Sequence, residues 1–287
     1  MLSRWASAGV SHTLKMLMPL MLLATAILLL AELVAGRHRG IYRREDWLVI
    51  GIPAILNPLV SAPLAGLLIG EAAKIILPKY AGALAHIPLL TAYLVIFLLV
   101  EFCFYWVHRL AHEGMRNGSK LRWLWKTHRT HHAGKYMNVL VTLRINPLWH
   151  FIVPTAWITG FSVYLGQGTA ALLVGISIYG WNLITHSHFR WDDAIKANPY
   201  FTAPFRMMEH IIVSPGVHHT HHGYGKDGAT YRNYAVTFAF IDWIFGTLHI
   251  PNGRPRHYGL PGDEPHWLEE VFHPIVNFDK TPARKSG

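Results

Sequence analysis

Cysteine is nearly absent: Cys103 is the only one in 287 residues. That excludes a disulfide framework, a cysteine-built zinc module and a protein-borne iron–sulfur cluster. Charge is also scarce, at 15% of residues against 52% hydrophobic, whereas a soluble domain carries about a quarter charged residues. Acidic residues are outnumbered, 16 against 26 Lys and Arg, for a formal charge of +10. No glycine-rich nucleotide fingerprint follows a strand pattern, and no flavin or cytochrome module or internal repeat is visible. What the chain does have is long apolar runs and twenty histidines. Together these indicate an integral membrane protein that binds metal.

The apolar runs predict an all-α integral membrane protein with about five transmembrane helices, near residues 16–31, 47–70, 87–107, 148–165 and 169–185. Each approaches the roughly 20 residues that cross a bilayer. Pro53, Pro58 and Pro63 should kink the second, and Gly166-Gln167-Gly168 makes a tight turn between the last two. The first run resembles a signal peptide but lacks an A-x-A-like site, which favours an uncleaved span. Of the 26 Lys and Arg, 22 fall in the segments 36–46, 108–147 and 186–287. Positive-inside bias then places those segments and the C-terminus in the cytoplasm, on a bacterial inner membrane or the endoplasmic reticulum. The same topology accounts for the net charge, so no nucleic-acid partner is expected. The chain divides into an N-terminal transmembrane region (1–85), a histidine-rich core (86–250) and a C-terminal loop and tail (251–287). In the tail, residues 267–276 read as a short amphipathic surface helix; at the end of the core, 234–250, with Asp242 inside it, reads as a buried or interfacial helix.

Eleven of the histidines form four clusters between residues 108 and 222: His108/His112, His128/His131/His132, His186/His188 and His218/His219/His221/His222. On a helix, positions three and four apart share a face. His108 with His112, His128 with His131 and His132, and His218 with His221 and His222 therefore each form an imidazole patch. His219 is one position off its face. With His186 this gives nine candidate ligands, His108, His112, His128, His131, His132, His186, His218, His221 and His222, enough for a histidine-rich di-metal site in a cytoplasmic helical cap. Scattered histidines such as His12, His38, His150 and His273 read as ordinary surface or core residues. A zinc-protease motif fails because Arg116 stands where H-E-x-x-H needs a second histidine. Haem would use one or two histidines and leave the rest unexplained. Imidazole suits zinc, copper, iron and nickel alike; a redox metal with open positions could activate dioxygen.

Tyr105-Trp-Val-His108-Arg-Leu-Ala-His112, Leu124-Trp-Lys-Thr-His128-Arg-Thr-His131-His132, His186-Ser, Ser214-Pro215 leading into His218-His219-Thr-His221-His222-Gly223, Asn233-Tyr234 and Asp242-Trp-Ile-Phe-Gly246-Thr247 occur in that order. Over residues 93–250 this pattern resembles the fatty acid hydroxylase/sterol desaturase superfamily of membrane histidine-box di-iron oxygenases. The resemblance implies two Fe ions, with zinc able to replace them in purified protein, and O2 as co-substrate. It also implies a membrane-bound hydroxylase of a lipid C–H bond, an acyl lipid by preference. Sterol desaturation or demethylation and carotenoid hydroxylation on the same site are the alternatives. A membrane metal transporter is the rival of a different class, disfavoured because the runs hold almost no ionisable residues.

Two departures from the family pattern stand out. His188 occupies a place where Asn is common, so it is either a tenth ligand or a donor behind the ligands. Arg144-Ile-Asn146-Pro147-Leu148 has Asn146 where the family carries histidine. Asp242, Asn233, Asn182 and Glu209 are further candidates for contacts behind the ligands. Phe102, Phe104, Tyr105, Trp106, Tyr179 and Trp181 are candidates to line an apolar slot. Electrons must come from a separate ferredoxin or cytochrome b5-like protein, for which Arg116, Lys120, Arg122 and Lys126 offer a cationic docking surface.

Overall fold

A computed structural model describes residues 19–262 and 265–278. His12, the first residues of the run at 16–31 and the end of the tail lie outside them. Among the described residues the fold is almost wholly helical; the one exception is an antiparallel pair of two-residue strands, β1 (Gly223–Tyr224) and β2 (His257–Tyr258).

Three helices are long and apolar enough to cross a membrane. One joins α2 (Arg44–Leu56) to α3 (Ala62–Ile76), another is α4 (Leu89–Glu113), and the third is α8 (Gly168–His186). A shorter apolar helix, α1 (Pro19–Val34), precedes them. Apolar side chains stay exposed along α1, α3 and α4, among them Leu22, Leu30, Leu67, Ile75, Leu90 and Val95. Such faces are stable when lipid covers them.

The prolines of the second run are absorbed without breaking it. A π-helical turn, Asn57–Ser61, lies between α2 and α3, and Asn57 Nδ2 donates to the Ile145 carbonyl at 2.9 Å. A proline removes one backbone donor, and a π-turn is a common way to absorb the lost register. The fourth run differs from expectation. It splits at Val153 into α6 (Trp149–Ile152) and an 11-residue α7 (Pro154–Tyr164), because Val153 is extended and Pro154 starts a new helix. Eleven residues are too few to span. α7 packs instead on α3 through glycines, where a Cβ on Gly160 would lie 2.2 Å from the Gly66 carbonyl oxygen. Ala92, Ile96, Phe97 and Val100 of α4 pack with Ala170, Ala171 and Val174 of α8 to make the core between the long helices.

Beyond one end of α4 and α8 lie α5 (Arg122–His132), α9 (Trp191–Lys196), α10 (Pro199–Met208), α11 (Pro215–His222), α12 (Ala239–Ile244) and α13 (Trp267–Phe272). The 234–250 segment is mostly irregular, with only the six residues of α12 helical. α13 is no surface helix. Glu269 accepts from Lys126 at 2.8 Å, and Glu270 pairs with Arg144 at 3.0 Å, all four side chains being buried. Lys126 is therefore withdrawn from the expected docking surface.

Candidate metal centre

α4 ends with His108 and His112 one turn apart, and α8 ends on His186. α5 supplies His128, His131 and His132, and α11 supplies His218, His221 and His222. α11 is started by Ser214, whose Oγ accepts the Val217 N–H, with Pro215 in the first helical position. Those choices satisfy an orphan donor and need none from proline.

The nine histidines fall into two groups: His108, His112, His128, His132 and His221, and His131, His186, His218 and His222. Within each group the candidate ligand atoms all lie within 4.8 Å of one another. Sequence spacing put each triple on one face. The structure divides each triple instead, sending the i, i+4 pair to one group and the remaining histidine to the other. The groups adjoin, with the His132 and His222 rings stacked at 4.3 Å.

The ring nitrogens show how a cation fits. Nδ1 of His108, His131, His186 and His221 faces the backbone carbonyls of Tyr234, Val141, Asn182 and Arg232, at 2.7, 3.2, 2.8 and 2.7 Å. A neutral imidazole carries one proton, so these contacts place it on Nδ1 and leave Nε2 a bare acceptor. Yet His108 Nε2 faces His221 Nε2 at 3.1 Å, and His131 Nε2 faces His186 Nε2 at 3.1 Å. Two lone pairs at that distance repel unless a cation draws both. His112 has both nitrogens buried without a partner, as does His222 at Nε2; buried polar atoms rarely stay so. Burial holds His128, His131, His132, His218, His221 and His222 well below the usual imidazole value, and neighbouring rings lower them further. They stay uncharged and able to ligate. Each group is all imidazole, a donor set that could hold a metal ion.

The contacts behind the rings differ from expectation. No side chain of the five candidates reaches a ring of the two groups by a hydrogen bond among the described residues. Asp242 accepts the Tyr234 and Ala235 N–H groups at 2.9 and 2.7 Å and the Thr247 hydroxyl at 2.6 Å, fixing the turn whose Tyr234 carbonyl meets His108. Asn233, with φ +59°, bridges the Val217 and His249 carbonyls. Asn182 acts through its backbone carbonyl. Glu209 accepts from Ser214 Oγ and Lys196, bracing the start of α11. His188 is outside both groups, and its backbone N–H donates to Glu32. His219 is buried beside Tyr258, also outside them.

Two acids were given no role in the sequence reading. Glu32, fully buried, accepts N–H groups of Val139 and His188 and contacts His38 at 3.0 Å. It thus ties α1 to the two loops beside His131 and His186. Glu101 lies buried within α4. An acid inside the 87–107 run was the available signal for Glu101, and an acid directly after the 16–31 run for Glu32. Asn146 holds the chain around α13, donating to the Glu270 and His273 carbonyls.

A cavity of about 540 Å³ runs between α3, α4, α7 and α8. Its wall is mainly apolar, including Pro63, Gly66, Val100, Phe104, Val153, Leu172 and Tyr179, and it reaches His108, His128, His131 and His218. Both groups thus meet the cavity. Of the other aromatic candidates, Tyr105 bonds Thr247, Trp106 packs on Phe245, Trp181 donates to the Val213 carbonyl and Phe102 is exposed.

Spanning-length apolar helices topped by two all-histidine groups define the class: membrane-type helical proteins with a candidate di-metal centre facing an apolar cavity. Residues 93–247 match the fatty acid hydroxylase family, and the chain belongs to it. The chain is similar to human alkylglycerol monooxygenase, 28% identical over 187 residues that cover 64% of this chain and 34% of that protein. It is also similar to methylsterol monooxygenase 2-1 of Arabidopsis thaliana, 28% identical over 163 residues, 53% of each chain. A third relative is a very-long-chain aldehyde decarbonylase of Oryza sativa, 25% identical over 171 residues, 58% of this chain and 25% of that one. The chain thus spans about a third of the first relative's length and about half of the second's. No solved structure matches.

Proposed function

We propose that the protein is a membrane-bound di-iron oxygenase that hydroxylates a C–H bond of a lipid, an acyl lipid before a sterol. The observation that carries this reading is the apolar cavity whose end is walled by imidazoles from both groups. The nine histidines would hold the two ions, and iron so held supplies the redox chemistry that activates dioxygen. One oxygen atom enters the C–H bond and the other leaves as water, with two electrons and two protons supplied from outside the chain.

The protein's own part is to bind, orient and keep dry. Trp149 stacks on His128 at 4.5 Å, and Phe104 packs on His108 at 5.3 Å, so aromatic surface flanks these rings where they meet the cavity. Carbonyls on Nδ1 fix four rings in one tautomer and orientation. The exposed cations Arg116, Lys120 and Arg122 near the start of α5 would receive an acidic donor such as a ferredoxin or a cytochrome b5-like protein. Their side of the membrane would be the cytoplasm, by positive-inside bias. The methylsterol relative favours a second reading, oxidative demethylation or desaturation on the same site, since both chemistries begin by removing hydrogen from carbon.

The test is metal analysis of protein purified without oxygen, followed by oxygen uptake and lipid analysis with a chemical reductant. Two irons per chain with reductant-dependent uptake and a new hydroxylated lipid are expected. Less than one metal per chain, with melting unchanged by a chelator, would overturn the reading.

A further inference from the structure

Glu101 is an acid in the apolar stretch of a spanning-length helix, and it is 1% exposed. Ionisable groups in such places are costly and mark function. One of its oxygens anchors the backbone, since Oε2 accepts the Thr237 N–H at 2.9 Å and the Phe238 N–H at 3.4 Å. The other anchors nothing. Oε1 is buried with no hydrogen bond of ordinary geometry; the Thr237 hydroxyl beside the carboxyl, also buried, makes none either. Glu101 also lines the 540 Å³ cavity, on the same wall as Phe104 and His108. Seven residues, two helical turns, separate Glu101 from His108, so both project from one face.

We propose that Glu101 Oε1 accepts a hydrogen bond from a hydroxyl group of the lipid that fills this cavity, and so sets which carbon reaches the histidines. The proposal rests on the cavity being the lipid site. Anchoring the 237–238 backbone accounts for Oε2 and leaves Oε1 unexplained. A hydroxyl fits better than an ammonium, because an ammonium would have to shed far more hydration to enter an apolar cavity. An ether offers no donor and would leave Oε1 as it is. At 1.5 Å per residue the two side chains are offset by about 10 Å, roughly eight bonds of an extended alkyl chain. The oxidised carbon should lie about that far from the hydroxyl.

The experiment is equilibrium binding of hexadecan-1-ol, hexadecyl methyl ether, hexadecane and hexadecylamine to the full-length, metal-loaded protein. Wild type is compared with Glu101→Leu and Glu101→Gln. Wild type should bind the alcohol up to about tenfold more tightly than the ether or the alkane, the upper worth of an ordinary hydrogen bond. In Glu101→Leu that advantage should vanish while hexadecane binds at least as well. Glu101→Gln keeps an oxygen for the Thr237 and Phe238 N–H groups and turns an NH2 to the cavity; its alcohol-to-ether ratio should fall towards one. If Glu101→Leu does not fold, the Gln ratio decides. Equal affinity of wild type for alcohol and ether, an alcohol preference retained in the Leu variant, an unchanged Gln ratio, or an amine binding above the alcohol would each overturn the proposal. Binding needs no turnover. Discrimination by a protein that never consumes oxygen would sink the oxygenase reading alone, and turnover without discrimination would sink only this proposal.

Discussion

The two histidine groups share α5 and α11 but take their remaining rings from different helices, α4 for one and α8 for the other, and they differ in margin. The group of five rests on two complete i, i+4 pairs, His108/His112 and His128/His132, closed by His221. The group of four has one such pair, His218/His222, and completes itself with single residues from α5 and α8. A closed tetrahedral metal site uses four ligands, so the first group has one imidazole to spare and the second has none. The difference says where the centre is fragile: at His131 and His186, whose neighbouring loops are secured from α1 by Glu32.

His186→Ala should show this most strongly. It leaves three imidazoles, and metal content should fall to about one ion per chain, with affinity at the damaged site down roughly 100-fold or more; elemental analysis after dialysis checks it. If two ions remain, the margin does not differ between groups. Acid should erase the comparison by attacking both groups together. With metal chelated, the unfolded chain takes up protons below the usual imidazole value of 6.5, while the buried rings, held well below it, do not. Folding stability is then fully present above about pH 6.5 and is lost as pH falls through it. Melting temperature of chelated protein should hold between pH 7.5 and 8.5 and drop by several degrees by about pH 5.5.

His132→Ala leaves four imidazoles in its group. Two ions per chain should be retained, with affinity for one of them down only about tenfold. Loss of an ion as complete as in His186→Ala would show that the fifth imidazole is no reserve. Asp242→Asn should act more gently and on one side only. It loosens the Tyr234 turn behind His108 and should weaken the group of five a few-fold, while Glu32→Gln does the same to the group of four. Competition with a chelator separates the two, and equal effects on both groups would remove the asymmetry.

The nine histidines were legible because helical spacing is local, and their clustering is an uncommon pattern. Their division was not. Which ring of His128, His131 and His132 joins which group depends on how α5 crosses α4, α8 and α11, and α11 lies about 90 residues further along the chain. The same limit explains Lys126, which looked like surface until Glu269 arrived from 143 residues away. Asn182 is a local case: its backbone carbonyl, not its side chain, meets His186 Nδ1. The long helices were readable from run length, but residues 148–165 show that an apolar run states burial, and Pro154 decides how it is cut. Glu32 and Glu101 were visible as acids out of place, yet their roles came only with Val139, His188 and Thr237 beside them.

α4 contains neither glycine nor proline from Leu89 to Glu113. Helices bend sharply at such residues or at π-bulges, so this one is a stiff strut with exposed apolar side chains along one part and two histidines of the candidate centre at its end. Bilayers differ in thickness by a few ångströms, and a helix meets that mismatch by tilting. When α4 tilts, His108 and His112 must tilt with it, whereas α5 and α11 have no apolar stretch to follow. In a bilayer, its thickness would thereby act on the alignment of the two halves of the candidate centre.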